Sequence, residues 1–108
     1  MKMEDTIIKD WFLVCLEYEN NIVAQVLWGL VVKDNKGRWQ PEDYVCTSKV
    51  IKHLADGVFL TKNSRYECSG KGRVVTLEAE AIFELRSGIS PEEYLTLKGL
   101  KERGFQTD

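Results

Sequence analysis

The sequence contains little of what marks the most recognisable classes of protein. It has one histidine, two prolines and three cysteines in 108 residues, and its longest apolar run covers only residues 22–32. A membrane-spanning helix needs about 18 or more apolar residues, and the first residues lack the basic-then-apolar order of a signal peptide. The odd number of cysteines argues against a secreted disulfide framework. We therefore expect a cytoplasmic protein with free thiols and no contact with a membrane.

Signatures of catalysis are equally scarce. Any mechanism that depends on histidine must use His53, and a nucleophilic pair of Cys46 with His53 is supported by no nucleophile elbow and no oxyanion motif. No Cys-x-x-Cys or other zinc spacing is present. The segment Gly70-Lys71-Gly72 lacks the Lys-Ser/Thr ending and the helix of a phosphate-binding loop. We predict no catalytic residue, no metal site and no cofactor, and we expect a non-enzymatic protein.

The chain has the length of one domain, 1–108, with enough residues to bury a single core. Residues 1–75 are mainly of strand character, with turn signals between the apolar stretches. Asp34-Asn35-Lys36-Gly37 predicts a tight turn, since Gly37 tolerates positive φ. Gly29, inside a long apolar stretch, predicts a bulge or a close backbone approach. The predicted strands are 11–18, 22–33, 44–48, 58–62, 65–68 and 73–75, with 50–54 left ambiguous.

Residues 76–104 have the character of two helices. Leu77, Ala81 and Leu85 share one helical face, so we favour a helix over 77–86, although one more strand through 74–86 is the alternative. Ser90-Pro91-Glu92-Glu93 combines a capping box with proline at the first helical position, which predicts a helix running to Arg103. The predicted fold is α+β: a meandering antiparallel sheet of five or six strands, possibly a half-barrel, with two C-terminal helices packed on it.

One short pattern occurs twice near the centre of the chain. Tyr44-Val45-Cys46 and Tyr66-Glu67-Cys68 are both followed by small polar residues. Because alternate residues of a strand face the same way, each Tyr-x-Cys places its two side chains on one face. We interpret the two segments as paired strands of one sheet, with the polar residues around them as a binding surface.

Charge is distributed unevenly along the chain. Residues 33–73 carry nine basic and five acidic side chains, whereas both flanking segments are net acidic. A sheet that presents basic and aromatic side chains can hold phosphates and stack bases. Single-stranded nucleic-acid binding is therefore the alternative function, although an overall pI near 5.5 argues against it. The residues that would carry it are Lys62, Arg65, Tyr66, Lys71 and Arg73.

Protein binding is the leading prediction. Arginine and aromatic residues are enriched at interface anchors, and Trp39, beside Arg38 and just before Pro41, is the tryptophan we expect to be most exposed. We expect a homo-oligomer that associates through a sheet edge or through the surface from Trp39 to Tyr44. The whole candidate binding surface comprises Trp39, Tyr44, Thr47, Ser48, Lys62, Asn63, Ser64, Arg65, Tyr66, Lys71 and Arg73.

Three stretches carry a resemblance to known proteins. They are Gly37-Arg38-Trp39-x-Pro41-x-Asp43-Tyr44-Val45-Cys46-Thr47-Ser48, Thr61-x-Asn63-Ser64-x-Tyr66 and Leu85-x-x-Gly88-x-Ser90-Pro91. In these residues the chain resembles small uncharacterised proteins of bacterial prophages and mobile elements. The resemblance implies an accessory cytoplasmic role and brings no activity and no catalytic residue with it.

Overall fold

The fold is α+β and consists mostly of β-sheet. A computed structural model describes residues 5–102 and places seven strands before two short helices. None of the helices in that part of the chain is long and apolar enough to cross a bilayer. The strands are β1 Thr6–Tyr18, β2 Asn21–Asp34, β3 Tyr44–Cys46, β4 Val50–Ala55, β5 Val58–Thr61, β6 Arg65–Cys68 and β7 Arg73–Glu78; a single 3₁₀ turn, Ala79–Ala81, then leads into α1 Ile82–Arg86 and α2 Pro91–Glu102.

A long antiparallel hairpin of β1 and β2 forms the centre of the sheet. Its turn contains only Glu19 and Asn20, both with positive φ, which is the backbone twist that two-residue hairpins require. The predicted strands 11–18 and 22–33 left residues 19–21 between them; the structure confirms a turn there and shortens it by one residue, because Asn21 already pairs with Tyr18. Gly29 in β2 confirms the predicted close approach, because a Cβ there would lie 3.0 Å from Ile8 Cδ1 and 3.1 Å from the Lys9 carbonyl oxygen.

The sheet is mixed, so the prediction of an antiparallel meander is wrong. Its strand order is β3-β2-β1-β6-β5-β4, and both β6 and β7 pair with β1 in the parallel direction. The reason is the length of β1, which begins at Thr6 rather than at the predicted residue 11. This strand is long enough for β6 to pair with Thr6–Ile8 and for β7 to pair with Phe12–Glu17 along the same edge.

A bulge in β1 separates these two paired stretches and divides the core. Asp10 has a φ of 49°, and the register with β2 shifts between Lys9 and Phe12. Because of this extra residue, the alternation of side chains in β1 is reversed after the bulge, so Ile8 and Phe12 point to opposite faces of the sheet. One buried cluster consequently lies under the helices and includes Phe12, Val14, Leu16, Val26, Trp28, Leu77, Ala81 and Leu85. The other lies on the opposite face and includes Ile8, Leu27, Val31, Val45, Phe59, Tyr66 and Cys68.

The sheet bends but stays open. Its first and last strands in spatial order, β3 and β4, are joined by residues 47–49 alone, so the two ends of the sheet must approach each other. The Asn63 side-chain amide donates to Ser48 Oγ at 3.3 Å, and the Lys62 N–H donates to the Lys49 carbonyl at 3.0 Å. No ladder pairs β3 with β4 within residues 5–102, so the sheet does not close into a barrel.

The structure corrects one helix and confirms the start of the other. Residues 73–78 are a strand, and only 82–86 are α-helical, because the β-branched run from Val74 to Thr76 finds an edge of β1 to pair with. Helix α2 begins at Pro91 with the predicted capping box: the Glu93 N–H donates to Ser90 Oγ at 3.1 Å, and the Ser90 N–H donates to Glu93 Oε1 at 3.0 Å. Its predicted end at Arg103 lies outside the described residues.

Candidate functional site

The outer edge of β7 is exposed and regular. This strand pairs with β1 on one side, and no other strand within residues 5–102 pairs with it. Its register with β1 is continuous over all six residues, from Arg73 to Glu78. Val74 is 69% exposed, and Thr76 is exposed beside it. The edge therefore presents an unbroken row of backbone donors and acceptors flanked by β-branched side chains.

Two other edge strands of the sheet, β3 and β4, carry features that hinder pairing, whereas β7 carries none of them. Strand β3 has three residues, and β4 has two irregularities in its register with β5 together with exposed Lys52 in its middle. Short length, bulges and lysine are the devices by which natural sheets block edge-to-edge association. Strand β7 has no proline and no bulge, and its interior from Val74 to Leu77 is uncharged.

Helix α2 neutralises the charged ends of β7. Arg73 forms an ion pair with Glu92, and both Glu78 carboxylate oxygens accept hydrogen bonds from Lys98 Nζ, at 2.7 and 2.8 Å. The hydrogen bond from Lys98 lowers the pKa of the Glu78 carboxyl below its usual value, although partial burial opposes the shift. Because Glu92 and Lys98 follow one another along the helix, α2 runs alongside β7 in the same direction.

Four of the predicted binding residues lie together at the turn between β5 and β6. Lys62, Asn63, Ser64 and Arg65 line a cleft of about 190 Å³ with Leu60, Thr61 and Asp5. The turn is organised from within, since Thr61 Oγ accepts hydrogen bonds from the Asn63 and Ser64 N–H groups and donates to the Ser64 carbonyl. The Arg65 N–H donates to the Asp5 carboxylate at 3.0 Å. An acidic side chain therefore shares this cleft with the two basic ones.

Asp34 organises the loop that reaches this turn, and sequence reasoning missed its role. Its side chain is fully buried and accepts hydrogen bonds from Thr6 Oγ, from the Arg38 guanidinium and from the backbone N–H groups of residues 36, 38 and 39. Burial by itself would raise the pKa of this carboxyl, but the hydrogen bonds outweigh it and hold the pKa far below the usual value. Arg38 also donates to Ser64 Oγ at 2.8 Å, which ties the loop to the turn.

Two further predicted residues belong to the interior. Tyr66 is 3% exposed within the second core cluster, and burial raises the pKa of its phenol. A ring in that position has no free face on which a base can stack. Thr47 is 2% exposed, and its Oγ accepts the Leu27 N–H at 2.9 Å where the ladder between β2 and β3 ends. The role of Thr47 in the structure is to satisfy a buried backbone group.

Trp39 and Tyr44 both contact neighbouring side chains while part of each remains exposed. Trp39 is half-buried against the second cluster, with the Arg38 guanidinium 4.2 Å from its ring centroid. Tyr44 stacks on Trp28 with ring centroids 6.0 Å apart, and its hydroxyl donates to the Arg86 carbonyl at 2.6 Å. Tyr44 thereby joins β3 to the end of α1.

Lys71 and Arg73 lie in a different cleft from the other predicted residues. This cleft, about 380 Å³, lies at the bulge of β1. The Arg73 guanidinium is 4.8 Å from the Phe12 ring centroid and is paired with Glu92, so its charge is already matched. The lining residues are Asp10, Trp11, Phe12, Trp28, Leu30, Lys71, Arg73, Ser90 and Glu92. The predicted basic and aromatic residues therefore line two separate clefts, and Tyr66 lines neither.

The two Tyr-x-Cys segments are not paired, which corrects our interpretation of them. They form β3 and β6, and both β2 and β1 lie between these strands. Burial raises the pKa of the Cys46 thiol to about 11 and that of Cys68 to about 12. His53 lies exposed on β4 with its ring stacked on Phe59 at 4.3 Å. Within the described part of the chain, no three metal-binding side chains come together.

The fold thus defines a class: a small α+β domain built on an open mixed sheet in which the outer edge of β7 is exposed. Comparison of sequences gives the family. The chain belongs to the family described as a domain of unknown function, DUF6957, whose profile matches residues 1–84. Neither the curated proteins nor the solved structures contain a match to this chain. The matched residues include all seven strands and stop within α1.

The edge of β7 was absent from the predicted binding surface because residues 77–86 were interpreted as a helix. Only Arg73 was named, and it was named for its charge. A signal was nevertheless present in the sequence, since Val74-Val75-Thr76 are strong strand formers that run into Leu77 without a break. What the sequence did not reveal is that β1 has a free edge long enough to accept a second parallel partner.

Proposed function

We propose that this chain is a non-enzymatic protein-interaction module that binds an extended segment of a protein along the outer edge of β7. It acts in the cytoplasm as a small accessory protein, of the bacterial mobile-element type that the sequence resemblance implies. The observation that carries the proposal is the contrast between the edges: β3 is short and β4 is irregular, whereas β7 is regular, uncharged in its interior and exposed.

Strand addition is a well-understood mode of binding. Main-chain hydrogen bonds supply affinity, and the side chains on alternate positions supply selectivity. On β7 the side chains beside an added strand are Val74 and Thr76, which favour β-branched or aromatic neighbours. We therefore expect the bound segment to be extended, rich in such residues and free of charge at its centre.

The test is a titration of the isotopically labelled protein with a capped, extended peptide of alternating valine and threonine, followed by amide NMR. We expect shift changes and slowed hydrogen exchange along β7 and the adjoining part of β1. Val74→Lys should abolish them, whereas Ile51→Lys, which changes a 62% exposed residue on the protected edge β4, should not. Changes centred on β4, or the absence of any change on β7, would contradict the proposal.

Single-stranded nucleic-acid binding remains the second candidate, favoured by the convergence of Lys62, Asn63 and Arg65 on one cleft. Retention on a single-stranded DNA column that weakens with salt would support it. Arg65→Ala should then reduce retention, and Arg73→Ala, in the other cleft, tests whether the two clefts act together. If the protein passes through the column at low salt, this candidate is excluded.

A further inference from the structure

We infer that the segment bound at β7 is β7 of a second copy of this chain, paired antiparallel about a two-fold axis at Val75. The inference rests on the proposed function and names its partner. A two-fold axis perpendicular to the sheet joins identical edges into one continuous sheet and closes the assembly at a dimer. The exposed edges are then both covered, which removes the feature that would otherwise invite uncontrolled aggregation.

The charges of β7 favour this arrangement. The strand begins with Arg73 and ends with Glu78, and the four residues between them are uncharged. With two antiparallel copies centred on Val75, Arg73 lies opposite Leu77 and Glu78 opposite Gly72 of the other copy, so no like charges are opposed, whereas parallel copies in register would place like charges together. Because Arg73 and Glu78 are also paired with α2, neither end presents an unmatched charge to the incoming strand.

The register follows from the requirement that opposed residues share a face of the joined sheet. An axis at Val75 places Val74 opposite Thr76 of the second copy, so two exposed β-branched side chains meet. An axis one residue later would place Val74 opposite the Glu78 carboxylate, which already binds Lys98. Because opposed β-branched residues pack well across antiparallel strands, the axis at Val75 is favoured over the axis one residue later.

The helices agree with the same arrangement. Tyr94 of α2 packs against the cluster that contains Leu77, so α2 lies on the face of the sheet that bears Leu77. A perpendicular two-fold axis therefore puts both α2 helices on the same side of the joined sheet, running alongside the paired strands.

Sedimentation velocity over a wide concentration range tests the dimer with the whole chain. We expect the mass to double with increasing concentration, and we expect Val74→Lys to raise the dissociation constant by about tenfold or more. Ile51→Lys is the matched control, because it adds the same charge to an exposed apolar residue of an edge strand and should leave the dimer unchanged. Thermal melting of each variant verifies that the fold is retained.

Cross-linking tests the register. With the axis at Val75, position 74 faces position 76 of the other copy, so Val74→Cys mixed with Thr76→Cys should form a disulfide dimer under mild oxidation. Each variant alone should form much less of it. A protein that stays monomeric at every concentration, a dimer unaffected by Val74→Lys, or equal cross-linking of each variant alone would overturn the inference.

The two proposals fail in distinguishable ways. A monomer that still binds the valine–threonine peptide along β7 would overturn the second copy as partner and leave the interaction module standing. A monomer that binds no peptide at β7 would overturn both. A dimer that dissociates with Ile51→Lys but not with Val74→Lys would assign the interface to β4 and overturn the inference, and peptide binding at β7 would then decide the proposed function.

Discussion

The indole of Trp11 lies directly against the backbone of Gly72, so closely that a Cβ at position 72 would be 2.2 Å from its ring carbon Cε2. Trp11 Nε1 also donates a hydrogen bond to the Gly70 carbonyl at 3.1 Å. These contacts hold the segment that carries the chain from β6 to β7 along the edge of β1. The close packing of one tryptophan on one glycine thus contributes to the position of the exposed strand.

Gly72→Ala should destabilise the protein because the indole cannot move aside freely. It is held by its bond to the Gly70 carbonyl and by an edge contact with Phe59, with ring centroids 5.8 Å apart. Overpacking of this kind costs about 1–3 kcal/mol, to be measured by urea unfolding. Gly99→Ala is the control: nothing lies within 4 Å of a Cβ there, and alanine favours the helix by up to about 1 kcal/mol. Equal stability of Gly72→Ala and the parent would contradict the prediction.

Thr47→Val should also lower the free energy of unfolding, although the two side chains have almost the same shape. Valine cannot accept the hydrogen bond of the buried Leu27 N–H, and an unsatisfied buried donor costs about 1–3 kcal/mol. Thr47→Ser keeps the hydroxyl and should recover most of the loss. If Thr47→Val and Thr47→Ser are equally stable in urea unfolding, the hydrogen bond is not the reason that threonine occupies this position.

The local signals of the sequence predicted local structure correctly, and the errors concern pairing between distant segments. The capping box of Ser90 and Glu93 and the turn with positive φ at Gly37 both form as expected, because each depends on neighbouring residues only. The parallel pairing of β7 with β1 joins residues about 60 positions apart, and no local pattern encodes it. Leu77, Ala81 and Leu85 are all buried in one cluster, as the helical pattern required, yet Leu77 reaches it from a strand.

In the candidate site, too, the sequence predicted the local features and did not predict the contacts between distant segments. The polar residues 62–65 do come together, since one tight turn holds them. Tyr66 follows directly and is buried, because the alternation of the strand points it inward. The contacts around Asp34 come from three separate segments of the chain. Thr6 of β1 donates to Asp34, Arg38 of the loop after β2 donates to Thr6, and Arg38 also donates to Ser64 of the turn between β5 and β6. Such convergence is a property of the fold, and sequence spacing does not show it.

Asp34 should make stability depend on pH. The hydrogen bonds hold the pKa of its carboxyl below the ordinary value of 3.8, so its contribution is complete above about pH 5 and is lost as the pH falls and the folded state must take up a proton. Asp34→Asn should lower the free energy of unfolding by about 2 kcal/mol or more at pH 7. The difference from the parent protein should shrink towards pH 3, as urea unfolding at several pH values can show.

The control for Asp34 is Asp56→Asn, which removes the same charge from an exposed turn between β4 and β5. It should leave the free energy of unfolding nearly unchanged at pH 7, since surface substitutions usually change it by less than about 0.5 kcal/mol. A difference between Asp34→Asn and the parent that stays constant from pH 7 to pH 3 would show that the ionised carboxylate does not carry the effect.

Cys46 and Cys68 should react slowly with thiol reagents as long as the protein is folded. The thiolate is the reactive form, and burial raises the pKa of Cys46 to about 11 and that of Cys68 to about 12. At pH 8 the thiolate fraction of each then falls by about two orders of magnitude or more relative to an ordinary cysteine. Timed alkylation followed by peptide mass spectrometry measures each site separately, with the urea-unfolded protein as the reference. Labelling of Cys68 at the unfolded rate would show that β6 opens readily and that the second core cluster does not protect it.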